Sequence, residues 1–432
     1  MIQQYKTHKP WLWATGTLFG LPTPQQPLLG PYRGGMRSSL VPLFLALLAS
    51  CASSRPPVER VTLVESMPRE CGLGSHDLPP TDVVWVQMIH QAREEIVLCH
   101  FYASDESGTR LGPVVYALEE AARRGVSIRI LLASTFRETY KDLPAHLSAQ
   151  PGIQIAFLDL KEQTGGVMHA KYMVVDRQDA FLGSANFDWR ALDHIVELGV
   201  RVEGVSLGGV LGNLFEGDWR RAHGRPEEVV EPGPRRRFAA ELNRVQASGK
   251  RDLEITAAIS PDGMGHRSSE WDLPQLLELI DSARHRLCAT TLTLKLNDPK
   301  GGDFDQLRSA LTRAAQRGVV VQLLVSQWCK QGSALKSVQE LDAIEGIEVR
   351  FLVIPEASTG PIPFARVLHA KILIVDGDKA WIGSSNLQLS YFTQSRNVGL
   401  IIRGRAMGER LDRWFKALWT APISEIVTSV SP

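Results

Sequence analysis

Two stretches of this 432-residue chain carry the same set of reactive side chains. The first is His169, Lys171 and Asp176, followed by Gly183, Ser184 and Asn186. The second is His369, Lys371 and Asp376, followed by Gly383, Ser384 and Asn386, each 200 positions after its counterpart. A His and a Lys two residues apart on an extended chain point to one face. Two copies meeting would place two imidazoles, two ammonium groups and two amides around one point. That set suits a phosphodiester. Lysines and asparagines neutralise the non-bridging oxygens, whose charge shifts in the transition state. One imidazole attacks phosphorus and forms a phosphohistidine. The other protonates the leaving alkoxide, then activates water or an alcohol. Ser184, Asn186, Ser384 and Asn386 are expected to offer hydroxyl and amide groups to the anion. Positive side chains make a metal unnecessary, and no cluster with metal-ligand spacing occurs, so no cofactor is expected. One HxKxxxxD arises by chance in a strand; two, each followed by GSxN at equal spacing, do not. A degenerate second copy is the alternative, but both copies are intact.

An attacking imidazole must be neutral, with its other N–H held by an acceptor. Glu197 lies 28 residues after His169, and the matching position after His369 is Asn397. A carboxylate raises basicity more than an amide does. This reading gives Glu197 to His169, the nucleophile, and Asn397 or Gln394 to His369, the general acid.

The elements that must position these groups are also repeated. The segment 117–132 returns at 310–325, each reading as an amphipathic helix, a Gly stop (Gly125, Gly318) and a buried strand. Upstream, Ile89 to Cys99 and Ile280 to Cys288 share a helix-to-strand pattern. Downstream, the apolar runs Tyr172 to Val175 and Ile372 to Val375 read as strands. Each half closes on an aromatic helical stretch, Phe215 to Trp219 and Leu411 to Trp419. Strands alternating with helices predict an α/β fold: two similar α/β sandwich domains, 57–223 and 253–425, related by a pseudo-two-fold axis, with the site between them. The polar stretch 224–252 is expected to link them, with a helix over 238–246. Its Arg235-Arg236-Arg237 run reads as a solvated surface, or as a phosphate contact.

Composition excludes a disordered or fibrous chain. Net charge is +1, and without residues 1–51 it is 44 basic against 47 acidic residues, a net of −3. A globally basic nucleic-acid binder is therefore not indicated, and any anion binding is local. Met36-Arg37, the apolar run Leu40 to Leu48 and Leu48-Ala-Ser-Cys51 read as a signal peptide. The last four residues resemble a bacterial lipobox, with Cys51 lipidated and residues 36–51 its leader. Ala52 in the next place favours the outer membrane. A cleaved signal with an incidental Cys is the alternative. Residues 1–35 read as an upstream extension from a mis-called start. Cys71, Cys99, Cys288 and Cys329 match no metal pattern, no disulfide is assigned, and Cys99 and Cys288 are expected as buried thiols.

The duplicated HxKxxxxD with GSxN resembles the signature of the phospholipase D superfamily, over about Val61 to Ile402. Leu63 to Pro68, Gly183 to Leu192, Glu197-Leu-Gly and Val353 to His369 look like the animal endolysosomal phospholipase-D-like 5′ exonucleases and the poxvirus envelope phospholipase-D-like proteins. The resemblance implies metal-independent phosphodiesterase chemistry in a cleft between the halves. The family's second half often has an acidic residue where Gln394 and Asn397 stand. Two substrates compete, phospholipid being slightly favoured from the expected location and single-stranded nucleic acid, cut 5′-exonuclease-like, the alternative. An anchor at Cys51 favours phospholipid, hydrolysed or transferred, at a membrane. Trp189, Phe187, Phe364, Arg366 and Tyr391 favour single-stranded DNA or RNA, if they stack bases or hold phosphates; Trp189 and Tyr391 read equally as core packing. A non-enzymatic envelope scaffold is the third reading. One chain carries both motifs, so no obligate protein partner is implied.

Overall fold

A computed structural model describes residues 59–74, 77–225, 238–242 and 253–427. The leader, Cys51 and Arg235-Arg236-Arg237 lie outside these residues. Half one contributes β1 (Glu59–Ser66), β2 (Glu95–His100), β3 (Ser127–Ala133), β4 (Ile153–Leu158), β5 (Tyr172–Val175), β6 (Asp179–Gly183) and β7 (Glu197–Glu203). β8 (Phe238–Leu242) follows. Half two contributes β9 (Leu253–Ser260), β10 (Arg286–Thr291), β11 (Val320–Ser326), β12 (Ile347–Leu352), β13 (Ile372–Val375), β14 (Lys379–Gly383), β15 (Asn397–Arg403) and β16 (Ser424–Ile426). The order β1-β7-β6-β5-β2-β3-β4 in half one is repeated as β9-β15-β14-β13-β10-β11-β12 in half two, with β16 at its far edge.

The halves join into one sixteen-stranded sheet through β8, which runs parallel to β1 and antiparallel to β9. The helix expected over 238–246 is therefore wrong at its start. β1 and β9 would otherwise present open edges, and a strand between them pairs both rows of backbone groups.

Parallel neighbours need a crossover. Helices Leu111–Arg123 and Asp142–Ser148 carry the chain through β2-β3-β4, and Asp305–Gln316 and Gly332–Asp342 through β10-β11-β12. Gly125 and Gly318 stop their helices at φ +90° and +82°, a left-handed turn that costs glycine little. A Cβ on Gly183 would lie 2.6 Å from the Gly199 Cα, so the GSxN glycine lets β6 and β7 approach closely.

Each half has its own outer core, where helices such as Thr81–Gln91 and Asp272–Asp281 cover one sheet face. The inner faces share one core. Leu211 and Phe215 of helix Val205–Ala222 belong to the same cluster as Leu411 and Phe415 of helix Arg405–Trp419. Tyr172 and Val174 point into it, while Met173 and Val175 point outward, as strand alternation requires. Cys99 and Cys288 are buried free thiols, and Cys71 and Cys329 are also unbridged. Among the described residues, no helix is long and apolar enough to cross a membrane.

Candidate active site

His169 and Lys171 stand on the extended lead into β5, and His369 and Lys371 on the lead into β13; the strands begin one residue later. The halves hold these leads for each other. The His169 N–H donates to the Arg396 carbonyl at 2.9 Å, and the His369 N–H to the Val196 carbonyl at 2.9 Å. Isolated bridges pair Met168 with Arg396 and Val196 with Leu368. The next residue of each partner segment thereby faces the opposite histidine. The Glu197 carboxylate accepts from His369 Nδ1 at 2.8 and 2.9 Å. The Asn397 Oδ1 accepts from His169 Nδ1 at 2.9 Å.

This reverses the pairing read from the sequence, where Glu197 backed His169 and Asn397 backed His369. The inter-half bridges are the physical reason. The Asn397 amide orientation is fixed, because its Nδ2 donates to the Tyr391 carbonyl at 2.7 Å and the Ser395 carbonyl at 3.3 Å. Both imidazoles therefore carry the Nδ1 proton and turn Nε2 to the centre, where it is free to attack or to gain and give a proton. Gln394 is not a partner of His369. Its side chain lies beside Gly165 and its backbone presses on Gly166, in half one.

Lys171 and Lys371 are buried, and each Nζ donates to its own motif's His carbonyl at 2.6 Å. Burial is the main cause that pushes both ammonium groups down: Lys171 well below its usual range, where Lys371 adds repulsion, and Lys371 to about 7. Glu197 opposes both shifts. Burial, with the lysines, also holds His169 well below 6.5 and His369 at about 4. Glu197 makes His369 the better proton holder of the pair. Two histidines and two lysines are thus buried together, and a bound phosphodiester would raise all four values.

The serines do not face an anion. Ser184 Oγ donates to the Leu198 carbonyl and accepts from the Leu198 N–H. Ser384 repeats this with Val398 and also touches Asn397 Oδ1 at 2.9 Å. They pin β6 to β7 and β14 to β15. Asn186 and Asn386 each keep a buried Oδ1 without a partner, an acceptor that can take a ligand's N–H or O–H but not an anion's oxygen, and the Asn186 Nδ2 donates to the Tyr102 hydroxyl at 3.4 Å.

Asp176 and Asp376 are not in the centre. Each lies at the far end of a four-residue strand from its lysine, roughly 15 Å away at strand rise. Asp176 accepts from the N–H groups of Arg93, Glu94 and Glu95, and Asp376 from those of Arg284, His285 and Arg286. Both sit at positive φ, 49° and 52°, held there by these bonds. They staple the β5–β6 and β13–β14 turns to the helix-to-strand corners, so the catalytic role expected for them is corrected. Partial burial opposes ionisation of Asp376, but its three N–H donors hold it below the usual carboxylate range. Its stabilisation is thus complete above the unfolded value of about 3.9 and disappears as pH falls through its folded value. Asp376→Ala is expected to cost about 2 kcal/mol, reduced by solvent exposure, and to lower Tm, while activity per folded molecule changes little. A large loss of kcat in a protein of unchanged Tm would contradict the staple role.

Of the flagged aromatic and arginine residues, Phe187 is core, stacked on Trp85 at 5.8 Å. Arg366 is buried and donates to the carbonyls of Pro355 and Arg69. Trp189 packs edge-on against His194 at 5.5 Å. Tyr391 belongs to the site, its ring 4.8 Å from His169.

Sequence reading missed a wall of rings on the other flank of His169. Phe101 lies 4.7 Å from the imidazole and 5.0 Å from Lys171 Nζ. Tyr102, Phe136 and Tyr140 continue it, with Tyr102 and Tyr140 stacked at 4.6 Å. All four are half-buried. They follow the carboxyl ends of β2 and β3, the edge where open α/β sheets place ligands, and that rule was the available signal. Arg396 was also missed. Its buried guanidinium pairs with Asp218 at 2.8 Å and ties the residue before Asn397 to half one.

Among the described residues, no group of three or more His, Cys, Asp and Glu side chains could hold a metal ion. A family model described as "Cardiolipin synthase, PLD-like domain" matches residues 85–219 and again 276–419. The chain is 28% identical to "Phospholipase D Z" of Dictyostelium discoideum over 394 residues, covering 85% of this chain and 91% of that protein. It is 30% identical to "5'-3' exonuclease PLD4" of Mus musculus over 372 residues, covering 79% of this chain and 73% of that protein. The fold is similar to the crystal structure of phosphatidylserine synthase from Haemophilus influenzae Rd KW20, with TM-score 0.55 and 12% identity over 80% of this chain and 85% of that one. The matched segments contain both His-Lys motifs and the strands that carry them, and the chain belongs to the phospholipase D superfamily of phosphodiesterases.

Proposed function

We propose that the protein cleaves phosphodiesters through a covalent intermediate on His169, with His369 as acid and then base. The cross-half partners carry this reading. The Glu197 carboxylate on His369 Nδ1 favours a charged ring more than the Asn397 amide oxygen does on His169 Nδ1, so His369 holds the proton at the start while His169 stays neutral. His169 Nε2 attacks phosphorus and the P–O bond to the leaving group breaks. His369 Nε2–H gives its proton to that oxygen. Water then attacks phosphorus, His369 Nε2 takes the water proton, and the P–N bond breaks. An alcohol in place of water would give transfer. Asn397 Oδ1 holds the His169 Nδ1 proton throughout, and Lys171 and Lys371 neutralise the phosphoryl oxygens.

The substrate class we infer is single-stranded nucleic acid. The observation in favour is the half-exposed wall Phe101, Tyr102, Phe136 and Tyr140 beside His169, because rings of this kind stack bases of any sequence. The second reading is phospholipid, favoured by a lipid anchor at Cys51. Protein lacking residues 1–51, with EDTA present, would be given labelled single-stranded DNA and phosphatidylglycerol vesicles, beside His169→Ala. Stepwise loss of nucleotides, absent in the variant, is the expected result. Headgroup release or transfer with intact DNA would overturn it. The envelope location is part of the same proposal: in a bacterial host, Cys51→Ala should leave the membrane fraction, and continued membrane retention would refute the anchor.

A further inference from the structure

We propose that Trp328 and Phe364 form a second stacking platform, which holds a base of the bound strand outside the reaction centre. This rests on the nucleic-acid reading above and adds a subsite to it. The two rings are exposed, 37% and 65%, and meet edge to face at 6.3 Å. Trp328 is on the turn after β11, and Phe364 lies five residues before His369. Five residues span at most about 18 Å, so the Phe364 backbone lies within that distance of His369.

The backbone that presents Phe364 is built under constraint. Phe364 and Arg366 have φ +62° and +57°, the left-handed region that bulky residues avoid. Such conformations persist only where surrounding contacts over-determine them, and they cluster at ligand sites. The contacts here come from both halves. The Arg366 N–H donates to the His194 carbonyl at 2.8 Å, and its guanidinium to the Arg69 carbonyl at 2.8 Å and the Pro355 carbonyl at 2.6 Å. Gln327, beside Trp328, donates to the Arg366 carbonyl at 2.7 Å. The loop is thus locked with Phe364 outward and Ala365 and Val367 inward.

The loop that carries Phe364 is also tied to the wall at His169. Arg190 donates to the Tyr140 hydroxyl at 3.2 Å on one side and to the Pro363 carbonyl at 3.4 Å on the other. Its guanidinium lies 5.4 Å from the Tyr140 ring. Rings in contact run from His169 through Phe101 and Tyr102 to Tyr140, and the Arg190 guanidinium joins Tyr140 to the backbone beside Phe364. Spaced π-faces leading away from a cleavage centre suit a chain with one base per link. A lipid surface calls for a contiguous apolar area. The exposed apolar set here is small, Trp328 and Phe364 with Pro361 and Pro363 beside them, and the other exposed large apolar residues, such as Val83, Tyr116 and Ile426, lie on other elements; the vesicle arm of the test separates the two.

The test compares wild type, Trp328→Ala and Phe364→Gly on a long single-stranded oligonucleotide, on a dinucleotide and on a p-nitrophenyl phosphodiester. Phosphatidylglycerol vesicle binding is measured in parallel. Phe364→Gly also relieves the backbone, so a folding defect does not explain its loss. The expected result is a KM for the long strand raised roughly tenfold in each variant, with kcat and both small substrates unchanged. Equal KM values in wild type and variants on the long strand would overturn the platform alone. So would loss of vesicle binding with oligonucleotide kinetics intact, which would make the pair a lipid contact. A wild type that hydrolyses the p-nitrophenyl diester but neither binds nor cuts oligonucleotides would overturn the platform together with the nucleic-acid reading.

Discussion

Given a p-nitrophenyl phosphodiester, His369→Ala should release one equivalent of p-nitrophenolate per site and then stall, whereas His169→Ala should release none. The leaving group is far less basic than an alkoxide and departs without a proton. The first step then needs only a neutral nucleophile, and His169 remains, with Asn397 Oδ1 still holding its Nδ1 at 2.9 Å. The second step still needs a base to take a proton from water, so the intermediate accumulates. On an alkyl diester the same His369→Ala change removes acid catalysis as well, and kcat should fall about 10²- to 10⁴-fold. The His169→Ala loss should be larger on both substrates, since no covalent route remains. A burst from His169→Ala and none from His369→Ala would exchange the two roles.

The second large effect concerns pH. The reactive free enzyme has His369 protonated and His169 neutral. Burial and the lysines hold His369 at about 4 and push His169 well below 6.5, and the Glu197 carboxylate favours the proton on His369, so this state is most populated in acid. kcat/KM should therefore fall about tenfold per pH unit above roughly 4, and more steeply once Lys371 loses its proton near 7. An anionic substrate raises these values, so the kcat limb should lie at higher pH than the kcat/KM limb. Glu197→Gln removes the carboxylate that lifts His369, which moves the alkaline limb to lower pH and cuts kcat/KM at neutral pH by about 10²-fold. A limb that stays in place in Glu197→Gln would show that His369 is not the titrating acid. The lysine also has a stability consequence of definite sign. With its folded value near 7 and its unfolded value near 10.4, Lys371 penalises the fold fully below 7, and the penalty is relieved as pH rises between the two.

The parts of this account legible in the sequence are those with a local pattern. The helix, Gly stop and buried strand of 111–133 and 305–326 follow from apolar spacing, and the residue types of the two motifs are specific to one chemistry. What failed to show was set by contacts between distant segments. Glu197 was read with His169, its neighbour in sequence, because the Val196–Leu368 and Met168–Arg396 bridges leave no local trace. Asp176 and Asp376 belong to the motif pattern yet act at the other end of the strand, and pattern alone does not separate a reacting carboxylate from one that binds three N–H groups. Ser184 and Ser384 misled for the same reason: a hydroxyl that locks two strands and one that meets an anion have the same spacing. β8 read as a helix because its partners, β1 and β9, come from opposite halves. The ring wall at Phe101 and Tyr140 has no motif, since stacking needs only rings at the right edge of the sheet.

The measurement closest to the central claim traps the intermediate. His369→Ala protein would be mixed with a 32P-labelled phosphodiester bearing a p-nitrophenyl leaving group, denatured in alkali and mapped by peptide. The account predicts label that survives base, is lost in acid and lies on the peptide containing His169. Label on another residue, or none during a p-nitrophenolate burst, would contradict it.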